Sequence, residues 1–359
     1  GIAMEIEVFK RIAGVYESVS LIDQFSSLMV TKRYYKTSDF QLQVAPTNET
    51  IEYLVPSNCL LIEGVFYYID NVVYNQKDHS LVVSGISLFG LLKNRVIWSN
   101  FSLYQTPLFI CQQILLENVT SPTNPNRVIE LFTVIADTIA QDSIQYQNSY
   151  GMVREEIETL CETYDFGFKE TPTDLLEPSC TVHFYKGSDK SSRIEFSIDN
   201  EMLFSETYEA NDYDESTTAL VAGEGEGIVR TTITLNESLT GLDRKELYVD
   251  ARDLQSTIDE TTLTTEEYNN LLTTRGNEKL SEKQAILLLD GDVNINSELY
   301  KYGTDYNLGD KVSVYSERFK VSTVKTLTEM QETWDSKGHF LTPTFGKRTP
   351  TIIDYIKRK

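Results

Sequence analysis

Phe40-Gln41-Leu42-Gln43-Val44 carries an apolar side chain on every second position, the pattern of a strand with one dry face and one wet face. Neighbouring runs repeat it. Leu60-Leu61-Ile62, Val65 to Ile69 and Leu81-Val82-Val83 are short and rich in β-branched and aromatic residues, and the polar Asn75-Gln76-Lys77-Asp78 turns the chain ahead of the last of them. Strands at this spacing from residue 4 to about residue 99, without long helices between them, predict an antiparallel unit of sandwich or barrel type. A short helix fits Ser87 to Lys93 at its end.

Outward from there the period lengthens. Over residues 100–191 Thr106-Pro107 is a helix start, a capping hydroxyl followed by proline at the first helical position, and Leu108 to Asn118 behind it is apolar enough to be mostly buried. Val153, Ile157, Leu160, Cys161 and Tyr164 fall on one stripe of a 3.6-residue period within Gly151 to Tyr164, while Glu155, Glu156, Glu158 and Glu162 face elsewhere. With the strand-like Thr181-Val182-His183-Phe184-Tyr185 this reads as a small α/β unit. Strands return over residues 192–346, at Gly227 to Leu235, Val293 to Leu299, Lys311 to Tyr315 and Arg318 to Val324. A helical insertion near residues 264–284 interrupts them, opened by a Thr264/Glu267 capping box, with Tyr268, Leu271 and Leu272 as its apolar stripe. Residues 347–359 are a basic tail. The fold class expected is mainly β with α+β parts: two antiparallel β units and one small α/β unit.

Composition limits what such a chain can do. Its 359 residues are 40% hydrophobic and 24% charged, the balance of a globular protein of two to three domains. The net charge of −22, from 54 acidic and 32 basic residues, rules out a cationic grip on nucleic acid phosphates. The longest apolar run, Cys59 to Asp70, contains Glu63 and is too short to span a bilayer. No basic stretch followed by an apolar one marks a signal peptide at Gly1-Ile2-Ala3-Met4. Cys59, Cys111, Cys161 and Cys180 lie far apart, with no CxxC pair and no companion histidine, so buried free thiols are expected rather than zinc or a redox dithiol.

Reactive constellations do not emerge. His79, His183 and His339 are isolated, and there is neither a GxSxG elbow nor a GxxxxGK phosphate loop. Asp290-Gly291-Asp292-Val293-Asn294 begins like a calcium loop, but Ile295 stands where the sharp turn needs glycine and Lys301 where a bidentate Glu belongs; it reads as a turn entering a strand. Gly223-Glu224-Gly225-Glu226-Gly227 alternates glycine with carboxylates, which would repel a phosphate, so it reads as a flexible hairpin or bulge. Acidity is concentrated: residues 201–270 hold 17 acidic and 4 basic side chains, residues 1–100 only 10 and 8. No catalytic residue, cofactor or metal is expected.

Several strings, in order, resemble tail proteins of siphophages and prophages of Gram-positive hosts. They are Ala219 to Arg230 with its alternating glycines and glutamates, Gly241 to Asp253, Tyr302 to Val312, and, earlier, Arg33-Tyr34-Tyr35 to Leu42 and Ser84-Gly85 to Arg95. The family is related to the baseplate hub protein of contractile-tailed phages and to the N-terminal hub region of tail-associated lysins. The resemblance implies two tube-like antiparallel β-barrel domains, over residues 4–99 and 192–346, around the α/β domain of residues 100–191. It implies a homotrimer whose six barrels form a pseudo-sixfold ring at the virion tail tip, assembled in the bacterial host cytoplasm. The ring would bind the distal tail or tail tube protein on one side and a fibre, spike or lysin component on the other. Gly303 and Gly309 become turn residues. Duplex DNA carries about one charge per 1.7 Å, so an acidic lumen lets phage DNA pass without sticking, and Glu224, Glu226, Asp305 and Asp310 are the candidate lumen-facing carboxylates. The competing expectations are a peptidoglycan or polysaccharide hydrolase using acidic residues, which lacks a constellation, and a secreted adhesin, which lacks a signal.

Overall fold

The computed structural model describes residues 4–98 and 101–346, so the basic tail expected at 347–359 lies outside the described residues. The chain is mainly β, with 41% strand and 19% helix. It opens with β1 (Ile6–Ile12) and β2 (Val15–Ile22), joined by Ala13-Gly14 at φ 51° and 82°, the pair of positive values that a two-residue hairpin turn requires. Next come β3 (Ser27–Arg33), β4 (Asp39–Val44), a capped helix α1 (Asn48–Tyr53), β5 (Cys59–Ile62), β6 (Val65–Asn75) and β7 (Ser80–Ser87). In β4 the predicted alternation holds: Phe40, Leu42 and Val44 are buried and Gln41 is exposed. Phe40 pairs with Gly85 of β7, where a Cβ would lie 1.9 Å from the Tyr68 carbonyl oxygen, so only glycine fits there. The short helix after β7 is a 3-10 helix over Leu88–Asn94.

The α/β unit contains β8 (Phe101–Gln105), α2 (Pro107–Leu115), β9 (Phe132–Val134), β10 (Ile144–Asn148), α3 (Val153–Tyr164), β11 (Gly167–Thr171) and β12 (Cys180–Tyr185). The Thr106 hydroxyl caps α2 by accepting the Phe109 N–H at 3.3 Å. Val153, Ile157, Leu160 and Cys161 are the buried stripe of α3, which ends at Asp165 in the left-handed conformation. Helices and sheet enclose one core with the four cysteines in it, together with Phe89, Phe132, Phe166 and Phe184.

The last part of the chain adds β13 (Glu195–Phe196), β14 (Thr207–Asn211), β15 (Thr218–Ala222), β16 (Thr232–Leu235), β17 (Glu246–Asp250), β18 (Thr257–Ile258), β19 (Thr261–Thr262), α4 (Thr265–Ser281) and β20 (Ile286–Asp290). It finishes with β21 (Lys311–Ser316), β22 (Val321–Asp335) and β23 (Gly338–Phe345). Three local readings differ from expectation. Residues 227–229 form a 3-10 turn, so the strand starts at Thr232. The stretch 293–299 contributes only Val293, bridged to Leu203 and Leu341, because the Asn294 side chain accepts the Asn296 N–H at 3.1 Å and folds the chain into a turn. β22 runs to Asp335, well past the predicted Val324, and β23 was not foreseen.

One eleven-stranded sheet runs β13-β21-β22-β3-β4-β7-β6-β5-β1-β2, with β23 on the other flank of β22. It therefore unites strands from both ends of the chain: Glu329 to Asp335 of β22 lie against Arg33 to Ser27 of β3. Trp334 belongs to the core under β1 to β7, whereas Leu327 and Met330 of the same strand belong to a second core with Phe196, Tyr306 and Phe345. Among the described residues no sheet closes on itself within this one chain.

Candidate interaction surfaces

The acidic stretch folds around its own core. β15 lies between β16, antiparallel, and β17, parallel, and α4 packs on them through Tyr268, Leu271 and Leu272 against Ala219, Val221, Val249, Ala251 and Leu254. The Thr264/Glu267 capping box forms as expected, each side chain accepting the other residue's backbone N–H. Gly223 ends β15 where a Cβ would lie 2.5 Å from the Tyr268 hydroxyl, and that hydroxyl accepts the Glu224 N–H and donates to the Leu254 carbonyl, both at 2.8 Å. The glycine-glutamate turn is thus fastened to the helix. Glu224 is half-buried and accepts the Ser256 N–H at 3.1 Å, while Glu226 is exposed at the tip beside exposed Ile228 and Val229.

The few bases here act as clamps. Arg244 holds Glu237 and Glu246 at 3.2 and 3.3 Å, and Lys245 holds Asp212 and Glu215 at 2.6 and 2.9 Å. Arg252 and Arg230 share Asp250, at 2.9 and 2.7 Å, and keep its carboxyl well below the usual carboxylate range. These four bases pair with five carboxylates, Asp212, Glu215, Glu237, Glu246 and Asp250, and the run as a whole keeps its negative charge.

Where α4 meets β10 and α3, two carboxyls are buried together. Glu278 of α4 is only 7% exposed; burial, then the nearby Glu156 of α3, pushes its pKa up to about 8. Burial also raises Glu156, whose carboxylate accepts the Tyr146 hydroxyl at 2.9 Å. Arg275 forks onto Asp253 at 2.9 and 2.8 Å, and these groups bound a cavity of about 270 Å³. Gln147 and Gln255 close the joint with two reciprocal bonds of 3.0 and 2.8 Å. The apolar stripe expected of α4 ends at Leu272. Continued at helical spacing, it reaches Arg275 and Glu278, and that signal would have found them.

The other expected carboxylates sit in a separate turn. Gly303 and Gly309 have φ 90° and 91°, as turn residues should, and a Cβ on Gly309 would meet the Tyr34 ring at 2.4 Å. Asp305 is exposed and closes its own turn on the Lys301 N–H at 2.7 Å. Asp310 is 5% exposed, accepts the Ser188 and Asn307 N–H groups at 2.9 and 2.8 Å, and pairs with Lys190 at 3.0 Å. Asp292 of the calcium-like string accepts the Ser205 and Thr342 hydroxyls, and a Cβ on Gly291 would lie 1.8 Å from the Ser205 carbonyl oxygen. The three histidines are dispersed: His79 in a turn, His183 on β12 and His339 stacked on Trp334. All four cysteines are free and buried. Among the described residues no three Asp, Glu, His or Cys side chains are grouped to hold a metal ion, and no helix is long and apolar enough to cross a membrane.

The family described as Siphovirus ReqiPepy6 Gp37-like protein matches residues 5–347, and the chain belongs to that family. No curated protein matches it in sequence. Among solved structures it is similar to the 43 kDa tail protein of prophage MuSo2 from Shewanella oneidensis, with 12% identity, TM-score 0.57, and 96% of this chain and 98% of that one covered. The tail protein from Neisseria meningitidis MC58 gives 11%, 0.57, 96% and 97%. Prophage tail protein gp18 from Listeria monocytogenes EGD-e gives 12%, 0.54, 98% and 97%. The chain thus has the fold of phage tail proteins along nearly its whole length.

Proposed function

We propose that this tail protein is a structural hub of the tail tip: a homotrimer forming a pseudo-sixfold ring between the tail tube or distal tail ring and a tip component. The observation that carries the reading is the extent of the match, with the family covering residues 5–347 and prophage tail proteins aligned end to end. Each copy would bring two β cores joined by β22, which suits a ring of six from three chains. DNA leaving the particle would pass a wall poor in cations, since carboxylates repel the phosphates and leave the duplex free to slide. Of the four carboxylates expected there, we assign Asp305. Asp310 is buried, Glu224 serves the Ser256 amide, and Glu226 stands beside apolar side chains unsuited to a wetted wall.

No catalysis is assigned. Glu278, whose pKa is pushed up to about 8, sits in a joint between packed elements. Electron microscopy of particles carrying a tag on this chain tests the reading: density at the tail tip with threefold symmetry is expected, and labelling along the tube or at the head overturns it. A clearing band on cell walls from the purified chain would restore the hydrolase.

A further inference from the structure

Two uncovered surfaces on this chain complement each other. The first is aromatic and cationic. Val96 bridges Met152, the Ile97 N–H bonds to the Gly151 carbonyl at 2.7 Å and the Tyr150 N–H to the Ile97 carbonyl at 2.9 Å, so Trp98 and Tyr150 flank one short ladder. They are 63% and 70% exposed. Tyr150 is held at φ 64°, a left-handed conformation that a bulky residue rarely adopts. The Arg127 guanidinium lies 4.8 Å from the centre of the Trp98 ring and is fixed by the Val96 carbonyl at 2.6 Å and the Asn118 side-chain oxygen at 3.0 Å. Arg95 is anchored to the Arg127 carbonyl at 2.9 Å. Both guanidiniums are spent on neutral oxygens, in a chain with a large surplus of carboxylates. Burial and the neighbouring Arg95 lower the Arg127 pKa.

The second surface is the tip of the glycine-glutamate turn. Ile228 is fully exposed and Val229 76% exposed, two residues after the exposed Glu226. Apolar side chains this bare, with an exposed carboxylate beside them, match an aromatic platform rimmed by guanidiniums.

We propose that the two meet between copies: the tip at residues 226–229 of one chain seats on Trp98, Tyr150, Arg127 and Arg95 of the next. Ile228 and Val229 lie on the aromatic faces, and the Glu226 carboxylate pairs with the guanidiniums. The two patches differ, so the contact is head-to-tail, the kind that builds a ring when its rotation closes. Trp, Tyr and Arg are the residues on which interface energy concentrates. This contact rests on the ring reading and gives it an interface.

The test is self-association of the full chain by sedimentation and light scattering, with fluorescence of Trp98 read by iodide quenching; the other tryptophan, Trp334, is buried. Glu226→Arg and Ile228→Ser change only exposed side chains and are expected to raise the dissociation constant about tenfold or more, exposing Trp98 to quencher. Arg127→Glu is expected to do the same, and combining it with Glu226→Arg to restore association. An oligomer indifferent to all these changes overturns the contact and leaves the ring standing. A wild-type chain still monomeric at about 0.1 mM overturns the contact, because a desolvated Trp/Arg anchor binds more tightly than that. Saturable quenching of Trp98 by single-stranded oligonucleotide, unaffected by Glu226→Arg, would give the platform to stacked bases and also overturn it.

Discussion

Glu278 shows how one side chain can make stability depend on pH. Its carboxyl titrates at about 8 in the folded chain and near the ordinary 4.5 once unfolded, so the folded state binds more protons between those values. Stability is then full below about pH 4.5 and falls as pH rises towards about 8. Glu156, Glu282, Lys279, Arg275, Asp253, Tyr146 and Tyr164 are the charged and titratable groups around it, and burial outweighs all of them. Thermal melts between about pH 5 and about pH 8 should show a loss on the order of 2–4 kcal/mol, and Glu278→Gln should flatten the slope. An unchanged slope in that variant would place the titrating group elsewhere. Residue-level facts of this kind were only half legible in the sequence. Glycines 303 and 309 announced their turns, and the helical stripe of α4, carried on past Leu272, puts Glu278 on the buried face, but it does not say that Glu156 of α3 lies opposite.

Elements were legible wherever periodicity and capping agree. α3 appears where its stripe puts it, α4 where stripe and capping box together put it, and β4 alternates as its five residues dictate. Elements failed where a side chain competed with the ladder, as Asn294 does, or where a strand's partner lies far away in sequence, as β3 does for the second half of β22. Local composition carries no record of a pairing some 300 residues distant. The capping box of α4 gives a second prediction. Thr264→Ala leaves the Glu267 N–H without its acceptor and should cost about 1 kcal/mol in urea unfolding. Because α4 covers β15 to β17, the loss should appear in that unit's opening.

At the scale of the molecule, the acidic unit is joined to the rest through α4 against β10 and α3. It has its own small core around Val221 and Leu272, while β22 ties the other two β cores into one sheet. Hydrogen exchange under increasing urea should therefore show β15 to β17 and α4 opening at lower free energy than β3 and β22, which should open together. A single opening common to all of them would contradict the division. The acidic candidates were legible as a composition bias, and their roles were not, since counting charges cannot distinguish a carboxylate locked to Arg244, as Glu237 is, from one exposed at a turn tip, as Glu226 is. The fifteen-residue β22 has a mechanical consequence. Flanked by antiparallel β3 and β23, it meets a pull along its axis with its ladder bonds loaded in shear, all resisting at once instead of unzipping in turn. A pull applied at the two ends of that strand would find a stiff tendon there, and the compliance would lie in the acidic unit beside it.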